Sequence, residues 1–173
     1  MTKGILDHAF EEGQVSMSVV GRVIVVAGLI LGSLHFGVER GLSVLELPEL
    51  WQRQLNLGFF LFLIWLAVNG GIRAVNKLLP GIAVGWLFIT GIGIGAWGQA
   101  IFSLAQWAFF RYNGEETFPF LFYLLPGLLP SLAVSLLVAV LTAITLRVEN
   151  SLMAFLLRLL IFGALALLIY LWI

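Results

Sequence analysis

Two stretches of this 173-residue chain are too long and too bare of charge to sit comfortably in water. From Leu78 to Phe110 run 33 consecutive residues without Lys, Arg, Asp or Glu, and from Thr117 to Leu146 run 30. A helix that crosses a bilayer needs roughly 20 apolar residues. Three shorter segments repeat the pattern: Val23 to Val38, Gln54 to Ile72, and Ser151 to Ile173, the last broken only by Arg158. A soluble domain carries about 25% charged residues. This chain carries 10%, with 61% hydrophobic residues and a mean hydropathy of +1.08. A protein this small has too much surface for its volume to bury that apolar excess, so the lipid bilayer is its expected solvent and first partner.

The expected fold is all-α, a polytopic helical bundle with transmembrane segments at about 18–38, 54–75, 80–110, 119–147 and 151–173, five in all, or four if the last lies on the surface. Arg158 sits early enough in the fifth segment for its head to snorkel to the interface. The third and fourth segments exceed what a crossing needs. At about 1.5 Å per residue the third would reach about 50 Å, against a hydrocarbon core of about 30 Å, so both must tilt, kink or project. Pro126 and Pro130 in LLPGLLP remove helix donors and supply a kink early in the fourth.

Residues 1–17 are expected to form a cytoplasmic amphipathic segment. MTKGILDHAFEEG has three acids and one Lys, the wrong charge for a cleavable signal. ILDHAFEE pairs apolar Ile5, Leu6, Ala9 and Phe10 with polar Asp7, His8, Glu11 and Glu12 at helical spacing, and Gly13 is placed to close a short helix. LSVLELPELWQRQ, Leu42 to Gln54, reads as a second interfacial helix. An acidic helix binds anionic lipid poorly, which makes the first a candidate dock for a partner protein.

With five segments, Lys3, Arg22, Arg73, Lys77, Arg147 and Arg158 fall on one side and Arg40, Arg53 and Arg111 on the other. The basic excess places the N-terminus in the cytoplasm and the C-terminus outside. Aromatic residues gather at the opposite boundary: Trp107, Phe109, Phe110 and Tyr112, then Phe118, Phe120, Phe122 and Tyr123. The net charge of zero gives no reason to expect nucleic acid as a partner. No cysteine is present, which excludes disulfides, thiolate metal sites and thiol nucleophiles.

The string GIGAWG, Gly93 to Gly98, matches G-x-G-x-x-G. That fingerprint cradles a pyrophosphate only in a turn between a strand and a helix. Here it lies inside the longest uncharged run, where a strand–turn would leave backbone groups unsatisfied in lipid. Helix packing explains the glycines better. At about 100° per residue, Gly81, Gly85, Gly91, Gly95 and Gly98 share one face, and Gly93 falls off it. Gly81-x-x-x-Gly85 and Gly91-x-x-x-Gly95 are small-x-x-x-small pairs that let backbones approach. Gln99, Ser103 and Gln106 continue that face. They act as interhelical glue or line a polar path.

His35 and Glu39, one helical turn apart, form a candidate interfacial pair. With His8 expected across the membrane, no metal site and no bis-histidine haem is indicated. Asn69 near Arg73 suggests a capping or hydrogen-bonding role. Ser131 and Ser135 have no His or Lys within sequence reach to activate them, and no carboxylate is expected deep in a span, where energised transporters place one. No catalytic residue, metal or cofactor is expected.

The layout resembles a bacterial family of small four-helix integral membrane proteins of unknown function. Its basis is two spans, the glycine-rich GIGAWGQAIFS (Gly93 to Ser103), the polar loop RYNGEE, and a fourth span ending LRVEN. The resemblance covers about residues 18–150, departs at the fifth span, and implies a bacterial inner-membrane location but no activity, cofactor or site. The function expected from the sequence is that of a non-enzymatic subunit or accessory protein of a larger membrane assembly, packed through its third helix against other subunits or a copy of itself. The alternative is a small oligomeric channel or transporter with its polar path along Gln99, Ser103 and Gln106.

Overall fold

The computed structural model describes the backbone of residues 5–45, 47–157, 159 and 160, with side chains from residue 17 onward. Within that range the chain is all-α: α1 (Ile5–Val44), α2 (Glu49–Leu78), α3 (Val84–Tyr112) and α4 (Leu121–Arg147). A fifth helix follows at 151–157. Four segments are long and apolar enough to cross a membrane: Met17–Val44, Glu49–Leu78, Val84–Tyr112 and Leu121–Arg147. The chain is therefore a multi-pass membrane protein. The fifth helix starts as the sequence suggested, with Asn150 Oδ1 accepting from the backbone N–H groups of Leu152 and Met153 at 3.0 and 3.2 Å, an N-cap. Arg158 and residues 161–173 of the expected fifth crossing lie outside the described residues.

Three boundaries differ from the sequence expectation. α1 runs unbroken from Ile5, through Gly13, into the first span, so no separate short N-terminal helix exists. A single glycine inside a helix costs only about 1 kcal/mol, too little to stop one that continues into an apolar span. LSVLELPELWQRQ is not one interfacial helix either. It is divided between the end of α1 and the start of α2, and Pro48 is the N-cap. α3 starts at Val84 rather than near 80, because Pro80 and Gly81 form a turn. Gly81 has φ +82° there and Gly114, just past α3, has φ +75°. Only glycine takes up that left-handed region freely.

α2 and α3 pack together and form the middle of the bundle. α1 lies against both, α4 lies against both, and α1 and α4 do not touch. α3 is the central helix: half of its most apolar stretch is buried, against 22% for α1 and α4 and 28% for α2. The core comes from Ile64, Val68, Ile72 and Val75 of α2, spaced to fall on one helical face, with Leu87 and Ile94 of α3, Val138 and Ala139 of α4, and Val20 and Leu31 of α1.

Lipid is as apolar as these side chains, so the bundle is held by close packing and by hydrogen bonds between helices. Glycines set the packing. A Cβ added at Gly91 would lie 2.6 Å from Ala139 Cβ, and one at Gly95 would collide with Ser135 and come within 3.1 Å of the Ser131 carbonyl. One at Gly98 would meet Leu31 Cδ2 at 2.6 Å. The same holds in reverse on α1, where Gly28 faces Trp97 and Gly32 faces the Gly98 carbonyl and Ile101. Ser131 Oγ donates to the Gly95 carbonyl at 2.9 Å. At the far end, Arg73 Nε and Thr142 Oγ1 both donate to Asn69 Oδ1, at 3.0 and 3.3 Å, tying α2 to α4. Arg147 reaches the Ile82 carbonyl and fastens the end of α4 to the α2–α3 turn.

Candidate functional site

One face of α3 changes character at Gln99. Below it the face is glycine and the helices touch. Above it the next turns carry Gln99, Ser103 and Gln106, and a cavity of about 380 Å³ opens among all four helices. Its lining is His35 and Glu39 from α1, Arg53, Asn56, Leu57 and Phe60 from α2, Gln99, Phe102 and Gln106 from α3, and Gly127 and Pro130 from α4. A smaller cavity of about 170 Å³ shares Glu39, Arg53 and Asn56 with it and adds Leu42 and Gln52. Leu42 is near the end of α1 and Gln52 near the start of α2. The pair of cavities thus leads toward the end of the bundle that carries the α1–α2 and α3–α4 connections.

The floor is closed by α3 and α4. Gln99 lies flat against Gly127, where a Cβ would collide with its amide nitrogen and lie 2.6 Å from its Cδ. Gln99 Nε2 donates to Ser103 Oγ at 3.1 Å, and Ser103 Oγ donates to the Tyr123 carbonyl at 3.1 Å. One turn below, Gly95 meets Ser131 and Ser135, and one further turn down Gly91 meets Ala139 and Val68. The cavity is blind at this level.

Glu39 and Gln106 meet across α1 and α3. Gln106 Nε2 donates to both carboxylate oxygens, each at 3.0 Å. Among the described residues no cation forms a close ion pair with Glu39, although the Arg40 charge acts on it. Arg40, its neighbour in sequence, turns instead onto three phenyl rings, with its guanidinium carbon 5.5, 4.3 and 5.0 Å from the centroids of Phe36, Phe109 and Phe110. Arg53 pairs with Glu49 at 2.6 Å on the exposed side of α2.

His35 does not bond Glu39, although both line the cavity. Its ring stacks on Phe102, with centroids 4.1 Å apart and planes 15° from parallel, and tilts against Phe60 at 5.0 Å. It is 8% exposed. Two buried polar atoms in the lining, His35 Nε2 and Asn56 Oδ1, belong to side chains that interact with each other without forming a good hydrogen bond. His35 lies nine residues before Val44, the last residue of α1, so it is about 13 Å inside the helix end.

The structure places the residues singled out in the sequence as follows. Gly91, Gly95 and Gly98 are in the packed seam, and their neighbours belong to this chain's own α1, α2 and α4. Gly81 precedes α3 and cannot share its face, and Gly85, in the first turn, has open space where a Cβ would stand. Gly93, assigned to another face, packs against Ile24. Gln99, Ser103 and Gln106 stay together, and His35 and Glu39 join them in one cavity. Arg53, Asn56 and Gly127 were not singled out. Asn56 carried the available signal, one of three amides within the uncharged run Gln54 to Ile72, with Gln54 and Asn69. Among the described residues no cluster of three His, Cys, Asp or Glu is placed to hold a metal ion.

No family model, no curated protein and no solved structure matches the chain. The likeness to small four-helix membrane proteins therefore rests on layout alone, that of four long apolar helices.

Proposed function

We propose that this protein is a small-solute carrier of the membrane, non-enzymatic, which takes a polar solute into a blind vestibule from one membrane face. The observation that carries this reading is the cavity itself. Carriers bind at a site buried in the bundle and closed on one side, whereas a pore needs a continuous wet path. The glycine seam under Gln99 leaves no room for such a path. The polar lining supports the same reading, because ionisable and amide groups held within membrane helices are costly and mark solute routes by default. By the bias of basic residues, the vestibule faces away from the cytoplasm.

The absence of cysteine from the sequence makes the test clean. In the carrier reading, Gln99→Cys, at the floor, reacts with a small impermeant methanethiosulfonate applied to intact cells from outside. Ile94→Cys, in the packed core, does not. Equal reaction at both positions would speak for a through-path or a loose bundle, and no reaction at Gln99→Cys from either side of proteoliposomes would rule the vestibule out.

A role as a subunit of a larger assembly is the second reading. It draws on the apolar outer faces of α1 and α4, since the tight glycines of α3 are engaged within the chain. A stable complex with other proteins in mild detergent supports it, and a monodisperse single species speaks against it.

A further inference from the structure

The carrier reading leaves open what the vestibule takes, and the pattern of used and unused groups narrows it. Three donors in the lining are engaged. Gln99 Nε2 is bound to Ser103, Gln106 Nε2 to Glu39, and one Arg53 nitrogen to Glu49. The acceptor that stands out is a carboxylate. Glu39 holds a carboxylate with one amide donor and no close ion pair among the described residues, with Arg40 its nearest recorded positive charge. Asn56 and His35 are buried beside it and interact with each other, without a well-formed hydrogen bond. The walls beside them are aromatic, since Phe60 and Phe102 line the cavity. A carboxylate and aromatic faces together favour a positively charged group. The ring faces attract a cation, and an unneutralised carboxylate away from water is stabilised by one.

We propose that the vestibule binds a small organic cation, an ammonium or guanidinium compound, with Glu39 as its counter-charge and Phe60 and Phe102 against its apolar part. The inference rests on the carrier reading of the same cavity. A site of about 380 Å³ admits a molecule of a few to a dozen heavy atoms. The exposed Arg53–Glu49 pair leaves the mouth close to neutral, so selection for charge falls to Glu39, deeper in.

The experiment uses the full chain in lipid nanodiscs, with methylammonium, tetramethylammonium and methylguanidinium as cationic probes and glycerol and acetate as controls. Titration calorimetry on the unaltered protein is expected to show binding of at least one cation and of neither control. Glu39→Gln, which keeps the shape and a partner for Gln106, is expected to weaken that binding at least tenfold, and Glu39→Asp to retain most of it. In parallel, the cations are expected to slow thiosulfonate labelling of Gln99→Cys. Labelling that no cation slows, or that glycerol or acetate slows equally, overturns the cation assignment and leaves the vestibule standing. No labelling at all overturns the vestibule, and the cation assignment with it. Cation binding that Glu39→Gln leaves unchanged, in protein of normal elution profile, overturns the assigned site.

Discussion

The two halves of α3 are built from the same helical face and behave as opposites. From Gly91 to Gly98 the face has no side chains, and α1 and α4 come close enough that a single methyl would collide with Ala139, Ser135 or Leu31. From Gln99 to Gln106 it bears amides and a hydroxyl, and a cavity stands in place of contact. The two halves handle buried polar groups by different means. The lower half does so with backbone geometry and one Ser131 bond to a carbonyl, and it leaves Ser135 Oγ without a partner. The upper half does so with side chains, and it leaves two atoms unsatisfied. The packed seam and the cavity are thus separated by one turn of one helix.

Three substitutions break or sharpen that division. Gly95→Leu strikes the seam, where the new side chain meets Ser135 and a backbone carbonyl that cannot rotate away. Overpacking of this kind costs about 1–3 kcal/mol and at times more, and the upper end is expected here. Loss of monodisperse protein on size-exclusion chromatography is the predicted result, and normal yield and elution would show the seam to be looser than described. Gln106→Leu strikes the cavity. It strips Glu39 of its only described donor, a loss of about 1–3 kcal/mol. The bundle is expected to survive with a lowered unfolding midpoint in denaturant. Adding Glu39→Leu to it removes the stranded carboxylate and is expected to recover part of the loss, and strict additivity of the two would deny the contact. Gly85→Ala is the control. It lies outside the seam with open space around it, and helix propensity favours Ala by about 1 kcal/mol or less. An unchanged or slightly raised midpoint is expected, and a clear drop would mean that the seam extends further down α3.

The division was partly legible in the sequence. The spacing of Gly91, Gly95 and Gly98, followed by Gln99, Ser103 and Gln106, needs only the helical period to fall on one face. The same reasoning ran too far at its start. Gly81 fits the wheel but not the helix, because Pro80-Gly81 is a turn signal of its own and α3 begins at Val84 with no polar cap to announce it. His35 and Glu39 were read as a pair because they are one turn apart. Each found a stronger partner on α3, an amide for the carboxylate and a phenyl ring for the imidazole. The convergence of α1 and α3 on Asn56 of α2 and Gly127 of α4 depends on how each helix is rotated about its axis. In α2, α3 and α4 the apolar residues run almost all the way round, so little in the pattern fixes that rotation.

The position of the central helix also sets an order of events during synthesis. α1 and α2 leave the ribosome first, yet Gly28, Gly32, His35 and Glu39 of α1 all face α3 or the cavity it completes. Until the third helix enters the bilayer, the first hairpin carries a carboxylate without its amide and two glycine notches filled by lipid. The arrival of Gly98 and Gln106 ends that interval, so the first hairpin reaches its final packing only after the third helix is in place.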